Sequence, residues 1–125
     1  VQTCALPIYL ARYAEVDIAL DTFPYNGATT TCEALWMGVP VISLSGRTPA
    51  SRMGKSILRA AGCESWSVDN EAAFVEVVRE VCGMILAGQF HRADLRDRIA
   101  RSPLCDQKRH REDFFGLIRQ LAGRT

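Results

Sequence analysis

A short apolar run, a glycine turn and a helix follow one another between residues 16 and 38, and that order narrows the folds open to the chain. Val16-Asp17-Ile18-Ala19-Leu20-Asp21 is apolar apart from its two acids, which fits a buried strand of a parallel sheet ending at Asp21. Thr22-Phe23-Pro24-Tyr25-Asn26-Gly27 carries Pro and Asn-Gly, so the chain turns there. Thr29 to Met37 reads as a short helix, and Gly38 stands where helices commonly stop. Val39-Pro40-Val41-Ile42-Ser43-Leu44 reads as a second buried strand, with Pro40 near its start, where a missing N–H is tolerated.

Leu10 to Glu15 reads as the end of a helix preceding the first strand. Further on, Ser45 to Pro49 is a loop, and Ala50 to Ala61 a helix ended by Gly62. Trp66-Ser67-Val68 is a weak strand. Asp69 is placed to cap a long helix from Glu71 to about Leu86, with Phe74, Val77, Val78, Val81, Met84 and Ile85 on one stripe. A helix over Ala93 to Ala100 stops at Ser102-Pro103, and a last amphipathic helix runs from about Gln107 to Leu121. Its apolar set is Phe114, Phe115, Leu117, Ile118 and Leu121. The alternation of strands and helices predicts an α/β fold, half of a doubly wound sheet with a helical C-terminus.

The 125 residues suffice for one domain. A net charge of +1 gives no electrostatic case for nucleic acid or a membrane surface. No apolar run approaches the roughly 20 residues that cross a bilayer. Cys4, Cys32, Cys63, Cys82 and Cys105 form no C-x-x-C pair and lack clustered histidines, so zinc spacing is absent, and no disulfide framework is expected in a chain with this much helix-forming sequence. Reduced, mostly buried thiols are expected, and with them a cytoplasmic setting.

Val1-Gln2-Thr3-Cys4-Ala5-Leu6-Pro7-Ile8 lacks the basic start and long apolar core of a signal peptide. One back-translation, GTT CAG ACG TGT GCT CTT CCG ATC, resembles a common sequencing-library adapter read in frame. Residues 1–8 are therefore expected to be adapter-derived, leaving residues 9–125 as the protein's own. The adapter's last T would turn a His codon into the Tyr9 codon.

The chemistry concentrates at the second helix. Ligands of open parallel sheets bind beyond the carboxyl ends of strands, where the turn before Thr29 lies. A helix N-terminus there offers unpaired N–H groups and partial positive charge to a phosphate. Gly27 and Ala28 keep the approach open, and Thr29, Thr30 and Thr31 add hydroxyls. Neither a Walker loop nor G-x-G-x-x-G is present. Glu33, one turn into the helix, would repel phosphate yet can accept from both ribose hydroxyls. The residues alone leave a second account open: Asn-Gly as a turn, a threonine as N-cap, and Glu33 favouring the helix dipole with no ligand at all.

The run from Val16 to Val41 closely resembles the C-terminal lobe of the O-GlcNAc transferase and SPINDLY family. Ala50-Ser51-Arg52-Met53-Gly54 and Ser102-Pro103-Leu104-Cys105-Asp106 resemble its later landmarks. The resemblance implies a two-lobed GT-B fold, with this chain as the Rossmann-like lobe that binds the nucleotide sugar. It implies inverting transfer from a UDP-sugar such as UDP-GlcNAc to Ser or Thr of a protein, without a metal or other cofactor. Carried over by position, Ala28, Thr29 and Thr30 match the segment at the donor diphosphate, and Glu33 the acidic ribose position. Arg12 matches a basic position near the uracil. Tyr9 stands where members often have His. Gly27 belongs to the same donor-binding turn, and Tyr25 and Asn26 would line the sugar side. Ala28 replaces the His of animal members, which leaves the sugar open.

No catalytic base is visible in these residues, and the resemblance puts acceptor and catalytic groups on an N-terminal lobe outside them. Arg47 and Lys55 read as solvated loop charges, while Arg52 lies inside a family landmark. His91 and His110 read as surface histidines, Trp36 and Trp66 as packing, and Lys108 to Arg111 as a solvated helix face. Two rival readings stand beside the protein transferase: a GT-B transferase or epimerase acting on a small molecule or glycan, and a non-catalytic nucleotide-binding protein.

Overall fold

The computed structural model describes the backbone of residues 5–123 and the side chains of residues 7–123. Half of the stretch read as adapter-derived, residues 1–4 with Cys4, lies outside the described residues, as do residues 124 and 125. Helix α1 (Ala5–Ala11) passes into a 3-10 turn over Arg12–Glu15. Strands β1 (Ala19–Leu20), β2 (Val41–Leu44) and β3 (Ser67–Val68) form a parallel sheet in that order, with Ala19 opposite Val41 and Ser43 opposite Ser67. Helix α2 (Thr29–Trp36) links β1 to β2. A 3-10 turn over Ala50–Arg52 and helix α3 (Met53–Ala60) link β2 to β3. Helices α4 (Glu71–Leu86), α5 (Arg92–Ala100) and α6 (Gln107–Ala122) complete the chain.

Both leading strands are shorter than their apolar runs because neighbouring backbone groups bond elsewhere. The Val16 carbonyl accepts from the Arg92 guanidinium rather than from a strand. Val39 N donates to Ala34 O at the end of α2, and Pro40 has no N–H to give, so β2 begins at Val41. Gly38 makes that helix ending possible: its φ is +75°, and a Cβ would lie 2.6 Å from Arg92 O.

Successive residues of β2 face opposite ways, as the period of a strand requires. Val41 joins Leu35, Val39, Leu58, Leu95 and Ile99 in one buried cluster, with α2, α3 and α5 supplying the helical side chains. Ile42, also buried, lies outside that cluster, and α4 packs against β2 and β3 with Val81 buried. The sheet is thus flanked by helices.

Four expectations need correcting. Strand β1, expected to be buried, leaves Ala19 half-buried and Leu20 55% exposed, because it lies at the edge of the described sheet. Asn70, not Asp69, caps α4: its Oδ1 accepts from Ala73 N at 2.9 Å, and its backbone is extended immediately before the helix. Asp69 instead pairs with Lys55 Nζ at 2.9 Å, so Lys55 is a half-buried partner rather than a solvated charge. Of the four described cysteines, all free, only Cys63 is buried; Cys32 and Cys105 are exposed because they lie on outward faces of α2 and the loop before α6. Helix α6 forms where the pattern places it, yet its apolar set stays 48% to 61% exposed.

Candidate functional site

The turn between β1 and α2 is held from behind by buried polar contacts. Asp21, the residue after β1, accepts Gly27 N at 2.7 Å on Oδ1 and the Ser43 hydroxyl at 2.7 Å on Oδ2. Asn26 is only 1% exposed. Its Nδ2 donates to Thr22 O at 2.9 Å and Leu44 O at 3.3 Å, and its Oδ1 accepts Gly54 N at 3.4 Å. The side chain of Asn26 therefore points into the protein, whereas the sequence reading placed it on the sugar side of a pocket. A buried amide with three partners is worth more as a brace than as a ligand group, because any partner lost would leave a polar group unpaired.

Gly27 sits where no side chain fits: a Cβ would lie 2.6 Å from Thr30 Oγ1 and 2.8 Å from Thr31 Oγ1. Those hydroxyls come down over the turn only because the position is glycine. Helix α2 then starts at Thr29 with Ala28 as N-cap and no side-chain cap. Cys32 N closes the first intrahelical bond onto Ala28 O. The amides of Ala28, Thr29, Thr30 and Thr31 find no acceptor among the described residues. The threonine N-cap that sequence alone left open is not formed.

A small solvent-open cleft runs along this helix start, lined by Tyr13, Ala19, Leu20, Asp21, Gly27 and Thr30 among others. Tyr13 donates its hydroxyl to Thr30 O at 3.4 Å and stacks edge-on with Tyr9. Burial pushes the Tyr13 hydroxyl well above the usual tyrosine range, helped by its bond with Tyr9 and by the Glu33 carboxylate, so it remains a donor.

Of the residues singled out in the sequence, Gly27, Thr30 and Thr31 line the cleft, Ala28 and Thr29 are exposed and outside its lining, and Glu33 is half-buried one turn along. Tyr25 stands 75% exposed on the turn. Arg12 lies on the α1 side but bonds Glu15 at 3.1 Å within its own turn, both side chains being largely exposed. Arg52 reaches Gly46 O at 3.4 Å, and Arg47 is exposed. His91 and His110 are exposed surface residues, as read. Trp36 is partly exposed beneath the Arg96 guanidinium, 5.0 Å from the ring, and Trp66 packs beside Phe90.

Sequence reasoning passed over Asp21, Tyr13 and Arg92. Arg92 ties α5 to the segment before β1 through Tyr13 O at 2.8 Å, Val16 O and Asp17 at 3.6 Å. The signal for Asp21 was present: a carboxylate closing an apolar run is costly to bury even in part unless donors meet it, and Gly27 follows after one turn. Nothing in the sequence pattern announces Arg92, which acts across 79 residues.

Comparison with known proteins bears on the family and the fold. The model of the family described as glycosyl transferase family 41 matches residues 9–114. A Solanum lycopersicum protein named "Probable UDP-N-acetylglucosamine--peptide N-acetylglucosaminyltransferase SPINDLY" is 35% identical over 113 residues, covering 90% of this chain and 12% of that protein. The Arabidopsis thaliana protein of the same name is 39% identical over 98 residues, 78% of this chain and 11% of its own length. A Thermobaculum terrenum O-GlcNAc transferase mutant superposes with a TM-score of 0.70 at 32% identity, over 86% of this chain and 21% of that one. The chain thus spans about an eighth of its curated relatives and carries the expected Rossmann-like α/β lobe of a GT-B transferase. With the family model covering most of its length, the chain belongs to glycosyl transferase family 41.

Proposed function

We propose that this chain is the donor-binding lobe of a UDP-sugar-dependent glycosyltransferase that passes N-acetylglucosamine or a related sugar to Ser or Thr of a protein, with inversion. The observation that carries the reading is the uncapped start of α2, four free amides and three threonines at the carboxyl end of β1. The family's named transferases support the donor and acceptor classes.

In this reading, the amides of Ala28 to Thr31, with the Thr29 and Thr30 hydroxyls, hold the diphosphate. Glu33 accepts from the ribose hydroxyls on the α1 side, and Arg12 turns from Glu15 toward the base. The acceptor oxygen attacks the anomeric carbon as the bond to the β-phosphate oxygen breaks and UDP leaves with the electron pair. The acceptor proton passes to a base on the rest of the protein. Charge grows on the β-phosphate as the bond breaks, and amides already aimed at it stabilise that charge without reorganising. Removing one such donor costs on the order of 3 kcal/mol of transition-state stabilisation. Transfer of labelled sugar from UDP-GlcNAc by the complete polypeptide tests the reading. Loss of transfer in Thr30→Val and Glu33→Ala supports it, and normal transfer by both removes the site from this helix.

A further inference from the structure

Three elements converge on one carboxylate behind the proposed donor site. Asp21 lies at the carboxyl end of β1, Ser43 is in β2, and Gly27 sits one residue before the N-cap of α2. Gly54, in the first turn of α3, is packed so closely that a Cβ would fall 2.4 Å from Asp21 Oδ2 and 2.2 Å from Ser43 Oγ. The carboxylate therefore has little freedom to move, and each of its oxygens is committed to a donor at 2.7 Å.

We propose that Asp21 is a positioning residue for the donor diphosphate, acting through the Gly27 amide. The Gly27 N–H is the last amide before the four that stay free. By engaging it from behind, Asp21 fixes the plane of the Asn26–Gly27 peptide, one peptide before the link to Ala28, and so constrains the path by which the chain enters the helix and the direction in which the following amides point. The brace comes from hydrogen-bond geometry rather than charge, since a negative group on this side of the turn does nothing to attract a phosphate. Ser43 completes it by holding the second oxygen, and the lack of room at Gly54 keeps the carboxylate from swinging away. The inference rests on the donor site lying at the start of α2.

Charge and geometry are separable by substitution. In Asp21→Asn the amide oxygen can still accept from Gly27, and the amide nitrogen can donate to Ser43, whose hydroxyl accepts as well as donates. Asp21→Ala loses both contacts, and Ser43→Ala loses one. In the complete polypeptide, UDP affinity and the KM values for UDP-GlcNAc and acceptor are measured for all three, with circular dichroism to confirm folding. Asp21→Ala is expected to weaken UDP binding and raise donor KM about tenfold, with acceptor KM unchanged. Asp21→Asn is expected to stay within about threefold of wild type, and Ser43→Ala to fall between. Wild-type UDP affinity in folded Asp21→Ala overturns the inference, as does Asp21→Asn failing as badly as Asp21→Ala. Should Asp21→Ala not fold, the other two decide: retained UDP binding by Asp21→Asn with weakening in Ser43→Ala supports the brace, and any other pair overturns it. Thr30→Val separates this from the donor-site reading. If Thr30→Val leaves UDP binding intact, that reading fails; if it weakens binding while Asp21→Ala does not, only the brace fails.

Discussion

Asn26 and Gly54 show how closely the site's turn is fitted into the protein. Gly54→Ala would push a methyl into Ser43 Oγ and Asp21 Oδ2, whose room is already taken. Overpacking of this kind costs about 1–3 kcal/mol, a loss that urea unfolding should register. Cys63 gives a test in pH. Burial raises its thiol above the ordinary range, against a smaller opposite pull from Arg98 at 3.8 Å. A raised folded-state value means the neutral thiol is favoured in the folded protein, so its contribution is whole below the unfolded thiol's value, about 8.5, and is lost as pH rises through the folded one. The unfolding midpoint should therefore decline above about pH 8.5, and Cys63→Ala should flatten that decline. At this scale the sequence was partly legible. Asn-Gly and the threonines marked the turn and the helix start, because local backbone chemistry dictates both. The inward aim of Asn26 was not legible, because its partners Leu44 and Gly54 are 18 and 28 residues away.

Element order was readable from pattern alone, since strand and helix periods differ and each helix carried a recognisable end. Strand lengths were not, because Arg92 and the end of α2 take backbone groups that the apolar runs would have given to the sheet. The cap of α4 is the element where propensity misled: Asp69 and Asn70 are both good caps, and only Asn70 has its side chain on Ala73 N. Asn70→Ala should accordingly cost about 1 kcal/mol in thermal or chemical unfolding. Asp69→Ala removes only the pair with Lys55, in which Asp69 is mostly exposed, and should cost under about 1 kcal/mol. Equal losses from the two would contradict the assignment.

Across the whole molecule, burial divides sharply. The sheet and helices α2 to α5 bury Leu35 and Leu58 in one cluster and Ile42 and Val81 outside it, whereas α6 leaves five large apolar side chains exposed. Leu58→Ala should therefore cost about 2–5 kcal/mol. Leu117→Ala, at 60% exposure, should change the unfolding of this lobe by no more than about 0.5 kcal/mol. Against that rigid frame, the start of α2 is a row of unpaired donors beside a cleft, and the function we propose gives it a nucleotide sugar to hold. Calorimetric titration of the complete polypeptide with UDP and with uridine, in wild type and Thr30→Val, tests that assignment most directly. If the helix start holds the diphosphate, Thr30→Val weakens UDP binding about tenfold and leaves uridine binding unchanged. Unchanged UDP affinity in Thr30→Val, or an equal loss for uridine, would contradict it.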